Sequence, residues 1–133
     1  MMGTMTAQQV EPSDTVDHLR VRYVAALVDV QGAGDRTIDA LIATRDARQI
    51  ARDHAERGRP MIELEQVIEP QSLRASLGDS LAELERTRHD AQRLLFQLMH
   101  AEGLTLADIG RAYGISRQLV SRLVNEPDPP AAV

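Results

Sequence analysis

Apolar residues recur three and four positions apart along most of the 133-residue chain, and the strict alternation of a half-buried strand appears nowhere. The pattern predicts an all-α fold, a helical amino-terminal region followed by three helices at the carboxy terminus. A first helix is expected from a cap at Ser13 or Asp14 to about Val30, with Val16, Leu19, Tyr23, Ala26, Leu27 and Val30 on one inward face. Gln31-Gly-Ala-Gly34 is expected to stop it. A second helix, capped by Asp35 or Thr37, should turn Ile38, Leu41, Ile42 and Ile50 inward and end where Gly58 and Pro60 break it.

The stretch MIELEQVIEP, 61–70, leans to helix over an extended piece. From Pro70 the leucines at 73, 77, 81, 84, 95 and 98, with Ala91 between them, keep the spacing of a long helix with a packing seam, interrupted at Gly78 and Arg88. Such a seam serves the core of a single-chain bundle or the contact between two chains, and spacing leaves both open. Residues 1–13 are polar and read as a disordered leader. Residues 14–85 read as a helical region for dimerisation or partner contact, 86–126 as a separate trihelical unit, and 127–133 as a disordered tail.

Within the trihelical unit, a helix from about Asp90 to Glu102 should bury Leu94, Leu95, Leu98 and Met99, with Gly103 as a left-handed cap. Thr105 and Asp108 have the spacing of a capping box for a short second helix ending at Tyr113. Gly114 supplies the positive φ that a tight turn between crossing helices requires, and Ser116 caps a last helix that stops before Pro127. In that last helix Val120 and Leu123 fall inward, which turns Arg117, Gln118, Ser121, Arg122 and Asn125 outward.

Composition narrows the chemistry. With Phe96, Tyr23 and Tyr113 as its aromatic residues and no tryptophan, any core is aliphatic. The absence of cysteine removes disulfides, thiolate metal sites and cysteine nucleophiles. No apolar run approaches the roughly 18–20 residues of a membrane span, and MMGTMTAQQVEPSD lacks the basic-then-apolar order of a secretory signal, so a cytoplasmic protein without membrane contact is expected. Formal charge is −5, yet it is unevenly spread: residues 1–85 hold 15 acids against 9 arginines, and residues 86–125 hold 3 acids against 6 arginines. A basic end on an acidic chain points to a polyanion partner.

The run TLADIGRAYGISRQLVSRLVN resembles the helix-turn-helix of bacterial DNA-binding proteins. It carries apolar residues at Ile109, Tyr113, Ile115, Val120 and Leu123, a small residue at Gly110 and glycine at Gly114. It is similar to the headpiece of the lac repressor family and to the carboxy-terminal domain of serine recombinases, over about residues 91–126. Gly110 stands where such motifs often carry alanine, and Leu119 where that repressor family often carries threonine. The large sugar-binding domain of those repressors and the catalytic domain of those recombinases have no counterpart here.

The resemblance implies a transcriptional regulator that binds double-stranded DNA as a homodimer, without cofactor or catalysis. Placed in the major groove, Arg117, Gln118, Ser121 and Arg122 are the candidate base-reading residues, since glutamine pairs bidentately with adenine and arginine with guanine. Thr105, Arg111, Ser116 and Asn125 are the candidate phosphate contacts. The alternative class is a helical protein-interaction module that keeps a helix-turn-helix scaffold without binding DNA. An acidic or apolar outer surface on 117–125 would favour that alternative, and the surface carries neither.

Other motifs are weaker. Arg57-Gly58-Arg59-Pro60 has the core of an AT-hook, but Glu56 precedes it and glycine followed by proline is an ordinary helix stop. His18, His54, His89 and His100 are scattered, without the spacing of a metal site. No carboxylate pair, phosphate-binding glycine loop or nucleophile with its base stands out.

Overall fold

A computed structural model describes residues 12–130, and these contain four α-helices, one short 3-10 helix and no strand. The elements are α1 (Pro12–Glu56), the 3-10 helix (Met61–Gln66), α2 (Pro70–Ala101), α3 (Leu106–Tyr113) and α4 (Arg117–Asn125). The fold is all-α with a carboxy-terminal helix-turn-helix. The expected leader falls almost wholly outside the described residues, as do the last three positions of the expected tail. None of the described helices is long and apolar enough to cross a membrane.

The described residues divide into two compact units, one made of those up to Val28 and from His89 on, and the other of Asp29–Arg88. In the Asp29–Arg88 unit the expected break at Gly34 is absent, because α1 runs unbroken from Pro12 to Glu56. Ser13 and Asp14 lie inside its first turn. A glycine inside a helix costs about 1 kcal/mol relative to alanine, which the continuing packing of α1 offsets.

That packing follows a face the periodicity misassigned. Ala33, Thr37, Ala40, Ala47 and His54 are buried, while Ile38, Leu41, Ile42 and Ile50 stand 55, 49, 43 and 39 % exposed. Small side chains on the inner face allow close approach to α2: the Thr37 hydroxyl lies 2.7 Å from the Ala33 carbonyl oxygen and 3.2 Å from that of Ser80. Arg36 and Glu83 close an exposed ion pair at 2.6 Å beside it.

The end of α1 is a glycine stop. Gly58 has φ of 70°, its N–H donates to Ala55 and that of Arg59 to His54, so the AT-hook core is used as a helix terminus. Buried His54 hydrogen-bonds through Nε2 to the Pro60 carbonyl at 2.9 Å. Pro60 and Pro70 bracket 61–69, where one short 3-10 helix forms. The other expected interruptions, at Gly78 and Arg88, also fail to appear: α2 is continuous from Pro70 to Ala101. Leu81 is 47 % exposed and leaves the leucine seam, whereas Leu73, Leu77 and Leu84 are half-buried.

Candidate nucleic-acid interface

The helix-turn-helix is assembled by local rules that each residue obeys. Gly103, at φ 108°, ends α2: its N–H donates to the His100 carbonyl and the N–H of Leu104 to that of Met99. Thr105 then caps α3 in a complete capping box, its hydroxyl accepting from the Asp108 amide at 3.1 Å while Asp108 Oδ2 accepts from the Thr105 amide at 3.3 Å. Gly114 takes the left-handed conformation, φ 68°, that lets α3 stop and the chain turn. Ser116 caps α4 by accepting from the Leu119 amide at 3.1 Å.

Beneath these turns lies one apolar cluster, with an aromatic ring at its centre where an aliphatic core was expected. Phe96, Ile109 and Val120 are fully buried and Leu123 nearly so, with Leu95, Met99, Leu106, Ile115, Leu119 and Val124 packed around them. Leu119 thus serves the core, which accounts for leucine where the repressors often have threonine. Tyr113 remains 45 % exposed but sets its ring edge against Phe96, centroids 5.1 Å apart. Gly110 is the point of closest approach between α3 and the turn. A Cβ built there would sit 2.8 Å from the Ile115 carbonyl oxygen, so the helices meet at this distance only because the side chain is absent. The same residue's carbonyl accepts from Gly114 and Ile115, locking the turn.

The carboxy-terminal end of α4 is held by residues that spacing did not single out. Gln97 donates to the Val124 carbonyl at 3.2 Å, and His89 Nε2 lies 2.9 Å from the Glu126 carboxylate. Arg93, 1 % exposed, reaches Asp90 at 2.6 Å and Asp128 at 3.0 Å, and Arg22 of α1 meets the same Asp128 at 2.6 Å. Asp128 falls in the stretch expected as a tail. Burial works against the charge on Arg93, and the Asp90 and Asp128 carboxylates outweigh it and raise its pKa. Arg22 first, then Arg93, hold the Asp128 carboxyl below the usual range. A signal was present: Arg93 stands three residues before Phe96, on the inward line of its helix, where a guanidinium needs acids to neutralise it.

On the outer surface, Arg117, Gln118 and Arg122 are exposed and have no hydrogen-bond or ion-pair partner among the described residues, and Ser121 is half-buried beside them. Asn125, also exposed, donates its side-chain amide to the Ser121 carbonyl at 2.8 Å. Thr105 and Ser116 spend one acceptor site each on capping. Arg111 is exposed and ion-paired with Asp108, whose carboxyl is held below its usual range by hydrogen bonds from Thr105 and then by the arginine's charge. Nine residues, 117–125, thus present cations and amides with no carboxylate among them. Among the described residues no group of three His, Cys, Asp or Glu converges on a metal site.

A model of the MarR family matches residues 84–126, about a third of the chain. The match indicates a DNA-binding domain of the winged helix-turn-helix class over those residues. It supports the class and not the lac repressor or recombinase likeness in particular. The described residues hold the helices of such a domain without strands for a wing. No curated protein and no solved structure matches the chain.

Proposed function

We propose that the chain is a sequence-specific DNA-binding protein, a bacterial cytoplasmic transcriptional regulator that acts as a dimer. Residues 86–126 bind DNA, and residues 14–85 dimerise or hold a partner. The observation that carries this reading is the set Arg117, Gln118 and Arg122, without partners among the described residues, on the outer face of a helix that a complete helix-turn-helix presents. In the major groove Arg117, Gln118, Ser121 and Arg122 read base edges, while Thr105, Arg111, Ser116 and Asn125 meet phosphates, Arg111 exchanging Asp108 for the backbone. One such motif contacts too little DNA for tight specific binding, which is the reason to expect two.

Selection from random-sequence duplexes, with mass by sedimentation at micromolar concentration, tests the whole. The expected outcome is an enriched two-fold sequence bound by a dimer. Arg117→Ala should relax the preference at one position of each half-site by about 1–3 kcal/mol. Arg111→Ala should weaken all sequences alike and lower the salt slope by about one unit. A chain that enriches no sequence and binds no duplex is instead a protein-interaction module on this scaffold.

A further inference from the structure

The outer face of α1 within the Asp29–Arg88 unit has an order of its own. Gln31, Ile38, Ile42 and Gln49 are separated by 7, 4 and 7 residues and so form one line along the helix, away from the buried line of Ala33, Ala40 and Ala47. On one side of that line stand Leu41, Arg45, Arg48 and Arg52, and on the other Asp35, Asp39, Asp46 and Asp53. All of these are exposed. Among the described residues Arg45 and Arg52 make only solvent-exposed pairs, with Asp46 at 3.4 Å and Glu56 at 2.9 Å, and Asp53 accepts from Gln49 at 2.9 Å. Arg48, Asp35 and Asp39 have no partner among the described residues.

We infer that this face pairs with the same face of a second copy of the chain, the two α1 helices running parallel. The pairing presupposes the dimer proposed above and specifies its surface and direction. When two identical helices lie side by side in parallel, the clockwise flank of one meets the counter-clockwise flank of the other. When they run antiparallel, like flank meets like. A helix with arginines along one flank and aspartates along the other therefore attracts its copy only in the parallel arrangement, and repels it on both flanks in the antiparallel one. Ile38 and Ile42, 55 and 43 % exposed, supply the apolar line between the charged flanks. The flank charges are exposed, so their present pairs within the helix are weak and open to exchange.

The natural chain has no cysteine, which makes single-cysteine cross-linking of the full-length protein a clean test. Gln31→Cys and Gln49→Cys place thiols about 27 Å apart along the helix, and a disulfide spans Cα atoms no more than about 7 Å apart. Each variant alone should oxidise to a covalent dimer. Cross-linking that occurs only when the two variants are mixed would establish the antiparallel arrangement and overturn the inference. A chain that sediments as a dimer yet cross-links at neither position dimerises by another face, which overturns the inference and leaves the dimer standing. A monomer overturns both. As an independent check, a variant carrying Arg45→Glu, Arg48→Glu and Arg52→Glu and one carrying Asp39→Arg, Asp46→Arg and Asp53→Arg should each self-associate about tenfold or more weakly than the natural chain, and recover when mixed. Unchanged self-association of both variants would likewise overturn it.

Discussion

The two compact units bury their helices by opposite means. Around the helix-turn-helix, large side chains go inward: Phe96, Ile109, Val120 and Leu123 form a closed cluster, each worth about 1.5–3 kcal/mol on full burial. Between α1 and α2 in the Asp29–Arg88 unit, small ones do: Ala33, Thr37, Ala40 and Ala47 line the contact, while Ile38, Leu41 and Ile42 face out. The first unit gains its stability from apolar area and a precise fit. The second brings the small face of α1 close to α2 and leaves Ile38, Leu41 and Ile42 exposed, while Leu73, Leu77 and Leu84 of α2 are half-buried.

The largest expected effect follows from the closed cluster. Phe96→Ala should cost about 3–5 kcal/mol in urea denaturation of the full chain, because it empties a fully buried ring site that also supports Tyr113. A cost below about 1 kcal/mol would mean the cluster is not packed as described. The opposite substitution probes the other unit. Ala40, 7 % exposed, sits on the narrow line of α1, so Ala40→Leu should cost about 1–3 kcal/mol by overpacking. If Ala40→Leu were neutral or stabilising, α1 would be burying its isoleucines after all, and the contrast between the units would collapse.

The contrast also explains what the sequence made legible. The caps and turns of the trihelical unit after α2 could be read in advance, since Thr105, Asp108, Gly114 and Ser116 act through backbone groups only three or four residues away, whereas the helix start expected near Asp90 is absent from continuous α2. The core of this unit was legible in part: Ile109, Val120 and Leu123 are buried as their spacing required, whereas fully buried Phe96 was not among the residues expected inward, and Leu95 and Met99, which were, are half-buried. Along α1 the expected inward face points outward within the Asp29–Arg88 unit, whereas before that unit Ala26 is buried and Val16, Leu19 and Tyr23 half-buried on the expected face. The alanine and threonine line carries little hydrophobic signal beside Ile38, Leu41 and Ile42, so periodicity chose the stronger stripe and found the wrong face. Gly34 and Gly78 looked like breaks because local propensity was weighed without the tertiary contact that outweighs it. The clamp of Arg22, His89, Arg93 and Asp128 joins residues as many as 106 positions apart, which spacing within one helix does not encode.

Gly110 sharpens the comparison at a single atom. In the Asp29–Arg88 unit close approach is achieved with alanines, but here even alanine is too large: a Cβ would meet backbone at 2.8 Å, and backbone cannot rotate away as a side chain can. Gly110→Ala gains about 1 kcal/mol of helix propensity and should lose more than that in displacing the turn, for a net cost of about 1–2 kcal/mol. The expected companion effect is weaker DNA binding at unchanged helix content, measured by titration beside circular dichroism. A variant more stable than the natural chain would show that the turn yields freely at this point.

The smallest effect concerns acid. Asp108 and Asp128 both have carboxyls held below the usual range, the first by Thr105 and then Arg111, the second by Arg22 and then Arg93, and both belong to the unit that carries α4. A carboxylate whose pKa is depressed on folding contributes stability that is fully present above its unfolded value, about 3.9, and is lost as pH falls through the lower folded value. Asp128→Asn should therefore be less stable than the natural chain at pH 6, and the difference should shrink as pH drops below about 4 and the natural carboxylate is itself protonated. Urea midpoints of the two proteins between pH 6 and pH 3 give the comparison. Convergence at low pH is the expected result, and it would assign part of the acid sensitivity to the segment that fastens the end of α4. A gap that stayed constant across the range would mean that Asp128 holds that segment by packing alone, and that the ion pairs with Arg22 and Arg93 contribute nothing to the folded state.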